Sequence, residues 1–288
     1  MAHSGTADGA TSLTRPHWSV ARSWLLLPGR PDSFDEFDAA RNSAVDVLVL
    51  DIEDGLPAPL KNDGRRCVAS WLGAGNRAWV RIGGITSDTW AADLEAVGFA
   101  PGLDGVVLAK TESPADVAAT AAHLPPGTPV VALIESALGI ESAFDIARHS
   151  SCARLAFGIG DFRMDTGMSA DPTTLAYPRG RLVIASRATG LPAPIDGPTL
   201  RVNAADLDRD SQIARSTGMS GRLCLAAEHA QAINTLLSPS PAEIAAARET
   251  VVRLSDAANV YDGSAKPTLA RAEATLALAG KLGLTTTE

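Results

Sequence analysis

The apolar residues of this chain fall into short, dense runs, separated by more polar stretches in which apolar positions recur at helical spacing. Ser23–Leu27, Val45–Leu50, Ala78–Ile82, Val106–Ala109, Val130–Ile134, Arg154–Phe157, Ala193–Ile195 and Arg222–Leu225 are largely apolar on consecutive positions. Such runs indicate parallel strands buried on both faces. Between them, Asp35–Asn42, Leu60–Trp71, Asp88–Val97, Pro114–His123, Leu138–Arg148, Ala205–Thr217 and Glu228–Leu237 read as helices, and Asp171–Gly190 as mostly helical despite Pro178. Pro28-Gly29 and Gly83-Gly84 supply turn signals. Strands and helices alternate about eight times, which predicts an α/β fold whose parallel sheet closes into a (β/α)8 TIM barrel. Beyond Ser238-Pro239-Ser240-Pro241 the pattern changes to two alanine-rich helices, Ala242–Leu254 and Thr268–Leu282, separated by Asn259–Pro267. The expected organisation is a flexible polar leader over 1–20, a barrel over 21–238 and a C-terminal helical extension over 239–288. Such an extension packs on a neighbouring subunit or folds back on its own barrel. Trp24, Trp71, Trp79 and Trp90 fall inside elements and are expected mostly in the core.

A chain of 288 residues, 45% hydrophobic and 20% charged, is long enough for one barrel with a full core. Its formal net charge of −8, with no Lys/Arg run, argues against nucleic acid as a partner. Cys67, Cys152 and Cys224 are widely separated, which fits a reducing compartment better than a disulfide framework or a zinc site. The five histidines show no metal-ligand spacing. No apolar run reaches the length of a membrane span, and the N-terminal residues lack the apolar core of a signal peptide. A cytoplasmic location is therefore the expectation.

Acids stand at the ends of three of the runs. Val130–Ile134 leads into Glu135, Arg154–Phe157 leads through Gly158-Ile159-Gly160 into Asp161, and Val45–Leu50 leads into Asp51-Ile52-Glu53-Asp54. A carboxylate at the end of a buried strand is costly unless it binds something. In a barrel such ends converge on the carboxyl-terminal rim, where acids distant in sequence can hold a hard divalent cation. Any one of them alone serves equally well as a helix N-cap, whereas Glu135 and Asp161 together favour a metal. Two oxygen ligands suit Mg2+, with Mn2+ as a substitute, because such an ion keeps waters and takes further oxygens from its substrate. The site would polarise a carbonyl or carboxylate. Arg81, at a strand end on the same rim, would clamp a carboxylate or stabilise an enolate; its plain alternative is a surface ion pair. Of Asp51, Glu53 and Asp54, at least one is expected to orient water, Arg81 or Lys61. Residue chemistry thus reaches a metal-assisted lyase or aldolase acting on an anionic carbonyl compound.

The segments RSWLLLPGRPDSF, VLVLDIED, VRIGG, VVLAKTES, VVALIESALGI, LAFGIGDF, RLVIASRATGLPAPIDG and GRLCL occur in this order. Together they resemble the citrate lyase β-subunit-like family, which includes malyl-CoA and citramalyl-CoA lyases, from about Arg22 to Gly283. The resemblance implies a TIM barrel, usually a homotrimer or a multiple of one, that binds Mg2+ and an acyl-CoA thioester with a small oxo or hydroxy acid. It carries the metal ligands over to Glu135 and Asp161, the carboxylate-binding arginine to Arg81, and the strand-end acidic pair to Glu53 and Asp54. Two places depart from the family's pattern. An HPxQ-like sequence after the eighth strand is here Ala226-Ala227-Glu228-His229, and the tail motif DGxMVDxP is here Asp262-Gly263-Ser264-Ala265-Lys266-Pro267. Asp262 is the only acid in Asn259–Pro267 and so the candidate acid/base, with a turn aspartate as its alternative. Three readings stay open: a carbon–carbon lyase, a CoA thioesterase on the same scaffold, and a metal- and oxo-acid-binding barrel with a regulatory role.

Overall fold

In the computed structural model, which describes residues 15–200, 203–255 and 263–284, eight parallel strands pair in chain order and the last closes on the first. The candidate Asp262 lies outside the described residues. The order is β1 (Ser23–Pro28), α1 (Phe34–Arg41), β2 (Val47–Asp51), α2 (Lys61–Gly73), β3 (Ala78–Ile82), α3 (Trp90–Val97), β4 (Leu103–Leu108), α4 (Pro114–Ala122), β5 (Val130–Ile134) and α5 (Ala137–Ala147). It continues with β6 (Cys152–Phe157), α6 (Ile159–Thr166), α7 (Ala176–Thr189), β7 (Ile195–Asp196), α8 (Ala204–Thr217), β8 (Gly221–Cys224), α9 (Ala230–Leu236), α10 (Pro241–Ser255) and α11 (Ala265–Lys281).

The two-residue period of the strands sorts their side chains into two dry layers. Trp24, Leu26, Val47, Val49, Trp79, Val107, Val131, Leu133, Ala156, Ile195 and Leu223 form one cluster, which fills the barrel. Their alternates, among them Leu25, Leu48, Val80, Val106, Ala132 and Phe157, join the helices in a second cluster. Both faces being dry, the strands read as continuous apolar runs. Continuing the interior parity by two residues carries Val49 to Asp51, Trp79 to Arg81, Leu133 to Glu135 and Ala156 to Gly158. Strand period alone therefore brings charged groups to the carboxyl-terminal mouth.

The elements depart from the expected ones chiefly at β4, β7 and α6. β4 begins at Leu103 rather than Val106, because Leu103 and Gly105 pair with Ala78 and Trp79. Gly105 permits this: a Cβ there would lie 2.5 Å from the Trp79 ring. β7 is reduced to Ile195–Asp196, and α6 forms where no helix was expected. Pro178 sits in the first turn of α7, where its missing N–H would have no helical partner in any case. Trp24, Trp71 and Trp79 are buried as expected, while Trp90 is half-buried.

At the amino-terminal end of the barrel a charge is buried outright. Arg154 donates from Nε to Ala193 O (2.7 Å), from Nη1 to Trp18 O and Ala21 O (both 3.0 Å) and from Nη2 to Ser220 Oγ (2.9 Å). Its guanidinium carbon lies 5.7 Å from the centre of the Trp24 ring, and Trp24 and Trp18 both pack edge-on against Trp79. Burial pulls the Arg154 pKa below its ordinary value. After the barrel, α10 and α11 pack on each other, and Glu243 of α10 pairs with Arg215 of α8. Among the described residues no helix is long and apolar enough to cross a membrane.

Candidate active site

Glu135 follows the last residue of β5, and only 5% of its surface remains exposed. Its Oε1 accepts the backbone N–H of Lys110 at 2.7 Å, and its Oε2 lies over Gly158, where a Cβ would come within 2.3 Å. Glycine at 158 is thus what leaves room for the carboxylate. Burial pushes the Glu135 pKa up to about 8; Asp161 adds to the rise, and the Lys110 N–H and Arg81 oppose it. Asp161 sits in the first turn of α6, half-buried, with neither a hydrogen bond nor an ion pair among the described residues. A buried acid beside an unpartnered one raises electrostatic energy that a divalent cation would relieve. Among the described residues no three His, Cys, Asp or Glu side chains gather as a complete ligand set. An ion at this pair would therefore complete its shell with water and substrate oxygens, which is how Mg2+ is held.

Across the mouth, Arg81 is already engaged. Its Nε donates to Asp51 Oδ1 (2.9 Å) and its Nη2 to Asp51 Oδ2 (2.6 Å), while Nη1 stands 3.4 Å from Glu53 Oε2. The pairing follows from register, since Asp51 and Arg81 are direct neighbours on β2 and β3. Gly55 accommodates it, because a Cβ there would lie 2.5 Å from Asp51 Oδ2. Burial works against the Arg81 charge, yet Asp51, Glu53 and Glu135 together hold its pKa above the ordinary value. The two-pronged edge expected to clamp a substrate carboxylate is thus occupied by Asp51.

The acids at the end of β2 and just beyond it divide by role. Asp51 orients Arg81, Glu53 is buried with its pKa raised by burial, and Asp54 is exposed and donates its backbone N–H to Glu53 Oε2 at 2.7 Å. Lys61 donates from Nζ to Ile52 O (3.2 Å) and Glu53 O (2.6 Å), fixing the loop.

Glu135 and Asp161 open onto a cleft of about 440 Å³, lined also by Thr86, Lys110, Ser113 and Met164. Lys110 is the functional candidate that sequence reasoning passed over; its only visible signal was its place at the end of the fourth apolar run. Its backbone is left-handed (φ 50°), and its Nζ lies 3.7 Å from Glu53 Oε1. A groove of about 560 Å³ lies at the opposite end of the barrel, beside Arg22 and Asp46. There the charges already pair, Arg22 Nε with Asp46 Oδ2 at 2.8 Å, so cavity size does not locate the chemistry.

Fold and rim together define a (β/α)8 barrel whose carboxyl-terminal mouth carries an uncompensated pair of acids beside a locked arginine. Comparison with known families gives this class a name. The model of the HpcH/HpaI aldolase/citrate lyase family matches residues 24–227 and that of the HpcH/HpaI aldolase C-terminal domain matches 242–283; the chain belongs to this family. A (3S)-malyl-CoA thioesterase from Cereibacter sphaeroides is 30% identical, over 88% of this chain and 95% of that protein. The citrate lyase subunit beta of Escherichia coli is 27% identical over 84% of this chain and 85% of its own length. The crystal structure of CitE from Mycobacterium tuberculosis in complex with magnesium, acetoacetate and coenzyme A has a TM-score of 0.76 and 25% identity, covering 91% of this chain and 99% of that one. The citrate lyase beta subunit from the same organism, complexed with oxaloacetate and magnesium, gives a TM-score of 0.66 and 26% identity over 77% and 99% of the two chains. Magnesium binding thus occurs in the family, whose members are enzymes of CoA-ester and oxo-acid chemistry.

Proposed function

We propose that this protein is a Mg2+-dependent carbon–carbon lyase that cleaves, or in reverse forms, a 3-hydroxyacyl-CoA thioester with a small oxo acid as product or partner. The observation that carries this reading is the buried Glu135 carboxylate beside the unpartnered Asp161, both facing one cleft. These two residues would hold Mg2+, or Mn2+ in its place. When bound, the ion supplies Lewis-acid polarisation of the oxo or hydroxy oxygen.

The chain's own groups do the rest. Arg81, held by Asp51 and Glu53, presents a fixed positive charge toward the mouth and stabilises negative charge as it develops. Glu53 and Asp54 line the substrate end of the rim, with Glu53 the buried acid that orients a hydroxyl or water. Asp262 takes the proton of the substrate's 3-hydroxyl. The C2–C3 bond then breaks, C3 leaves as the carbonyl of the oxo acid, and the electron pair passes to the thioester as its enolate. Return of the proton to C2 gives the shortened acyl-CoA. We further propose a homotrimer or a multiple of it as the assembled form, which light scattering that returns a monomer at micromolar concentration would remove.

A second reading is favoured by the malyl-CoA thioesterase relatives: water attacks the thioester carbonyl, releasing free CoA and the hydroxy acid. One experiment separates the two. The protein is incubated with Mg2+ and malyl-CoA or citramalyl-CoA, and glyoxylate, pyruvate and free thiol are measured. Oxo acid without free thiol is the expected result. Free thiol without oxo acid would establish the thioesterase, and neither product with oxo-acid binding intact would establish a binding or regulatory barrel.

A further inference from the structure

The anions and cations of the cleft do not balance, and their partners show which groups are spare. Three of the lining acids are engaged in local structure. Glu112 Oε1 accepts the Ser136 hydroxyl (2.5 Å), Asp116 accepts the backbone N–H groups of Glu112 (2.8 Å) and Ser113 (3.0 Å), and Asp165 accepts that of Ala137 (2.8 Å). Glu135 and Asp161 are left facing the cleft. Among the cations of the mouth, Arg81 is committed to Asp51 and Glu53. Lys110 is the one cationic side chain among the described residues lining the cleft. Half of its side-chain surface is exposed, and its one ion pair among the described residues, with Glu53 at 3.7 Å, is loose and beyond hydrogen-bond reach, so its donors stay open to a ligand.

The backbone at this point performs two tasks. A left-handed lysine is an uncommon conformation, retained only where its surroundings determine it. Here the same residue gives its N–H to Glu135 and lines the cleft. A metal at Glu135 and Asp161 and an ammonium at Lys110 would thus stand side by side, each complementary to an oxygen of an anionic substrate.

We propose that Lys110 is a substrate-binding residue, its ammonium receiving the carboxylate of the oxo- or hydroxy-acid end of the substrate next to the metal pair, a role for which Arg81 is not free. The inference rests on the oxo-acid reading of the cleft. It also explains how a mouth in which acids outnumber bases admits an anion: the metal and Lys110 add positive charge to that of Arg81, whose two-pronged edge Asp51 holds.

The test is calorimetric, on the full chain with Mg2+, using oxaloacetate as the probe and Mg2+ alone and coenzyme A alone as controls. Lys110→Met keeps an unbranched stem and the backbone N–H to Glu135 while removing the charge. It is expected to weaken oxaloacetate about ten- to hundredfold, the range for a hydrogen bond to a charged group, while Lys110→Arg restores binding to within a few-fold. Mg2+ alone should bind Lys110→Met as well as it binds the wild type, or better, because a like charge has gone, and coenzyme A should be unaffected. Oxaloacetate binding undiminished in Lys110→Met would overturn the assignment, as would loss of Mg2+ and oxaloacetate together in both variants. Weakened coenzyme A with unchanged oxaloacetate would move Lys110 to a phosphate contact and equally overturn it. Wild-type protein that binds no oxaloacetate would remove the oxo-acid reading itself, and this inference with it.

Discussion

The barrel buries charge at both ends, on opposite terms. At the amino-terminal end, Arg154 is surrounded by oxygens that belong to the fold: three backbone carbonyls and a serine hydroxyl take its donors, and an indole covers its face. At the carboxyl-terminal end, Glu135 has one backbone N–H and an unpartnered aspartate for a neighbour. A charge whose partners are all internal contributes to one folded state and has nothing left to offer a ligand. A buried charge whose partners are too few is destabilised until something from outside completes it. Partner inventory, more than depth, separates a structural charge from a functional one.

The sharpest break in this comparison comes from removing each charge in turn while keeping its shape. Glu135→Gln should cost about a thousandfold or more in turnover and abolish Mg2+-dependent oxo-acid binding, since a ligand to the proposed ion is lost. Its melting temperature should hold or rise, because an under-compensated buried acid has been neutralised. Arg154→Met should do the reverse, losing about 3–5 kcal/mol of stability as several buried acceptors are stranded, while turnover per folded molecule survives. Calorimetric or denaturant unfolding alongside initial rates checks both. Glu135→Gln that unfolds the protein, or Arg154→Met that folds normally without activity, would erase the distinction.

A gentler probe leaves the charge in place and moves it. Gly158→Ala would put a Cβ within 2.3 Å of Glu135 Oε2 and 2.6 Å of its Cβ, so the carboxylate must shift. Displacing a metal ligand without removing it should weaken Mg2+ affinity about ten- to hundredfold, the scale on which supporting groups act, with little change in far-UV circular dichroism. Unchanged affinity would mean that the position of Glu135 is not what matters.

The two ends were not equally legible in the sequence. The strands could be read because burial on both faces leaves an unbroken apolar run, and Glu135 could be read because it interrupts the end of such a run. Arg154 stands at the start of its run with nothing to mark it, since its partners, at Trp18, Ala21, Ala193 and Ser220, are distant in sequence and mostly backbone. The tie between Asp51 and Arg81 appears only once the register of β2 on β3 is known. Lys110 depends on a backbone turn that its residue type does not suggest. α6 escaped because its only buried residue is Phe162, which leaves no periodic apolar face to detect. Asp161 follows the sixth strand as expected, and the first turn of that helix carries it.

The smallest expected effect concerns a charge on the surface, in the C-terminal extension. Glu243 of α10 accepts Arg215 Nη2 at 2.5 Å, and its Oε2 takes the backbone N–H of Ser240 at 2.8 Å. Chiefly through the Arg215 hydrogen bond, its pKa is held down to about 2. A carboxylate lowered on folding adds stability that is present above its unfolded value of about 4.3 and is lost as pH falls toward 2. Nearly half of this side chain is exposed, so solvent and salt screen it, and the pair is worth only about 0.2–1 kcal/mol. Glu243→Gln should therefore lower the melting temperature slightly at pH 7 and low salt. The difference should shrink as pH falls through about 2 and also in 1 M salt, where the Debye length is about 3 Å, and turnover should not change. A loss of several kcal/mol in this variant would show the barrel and its extension depending on a single exposed pair. Depth would then have to be given up, along with partner number, as a guide to which charges hold the fold together.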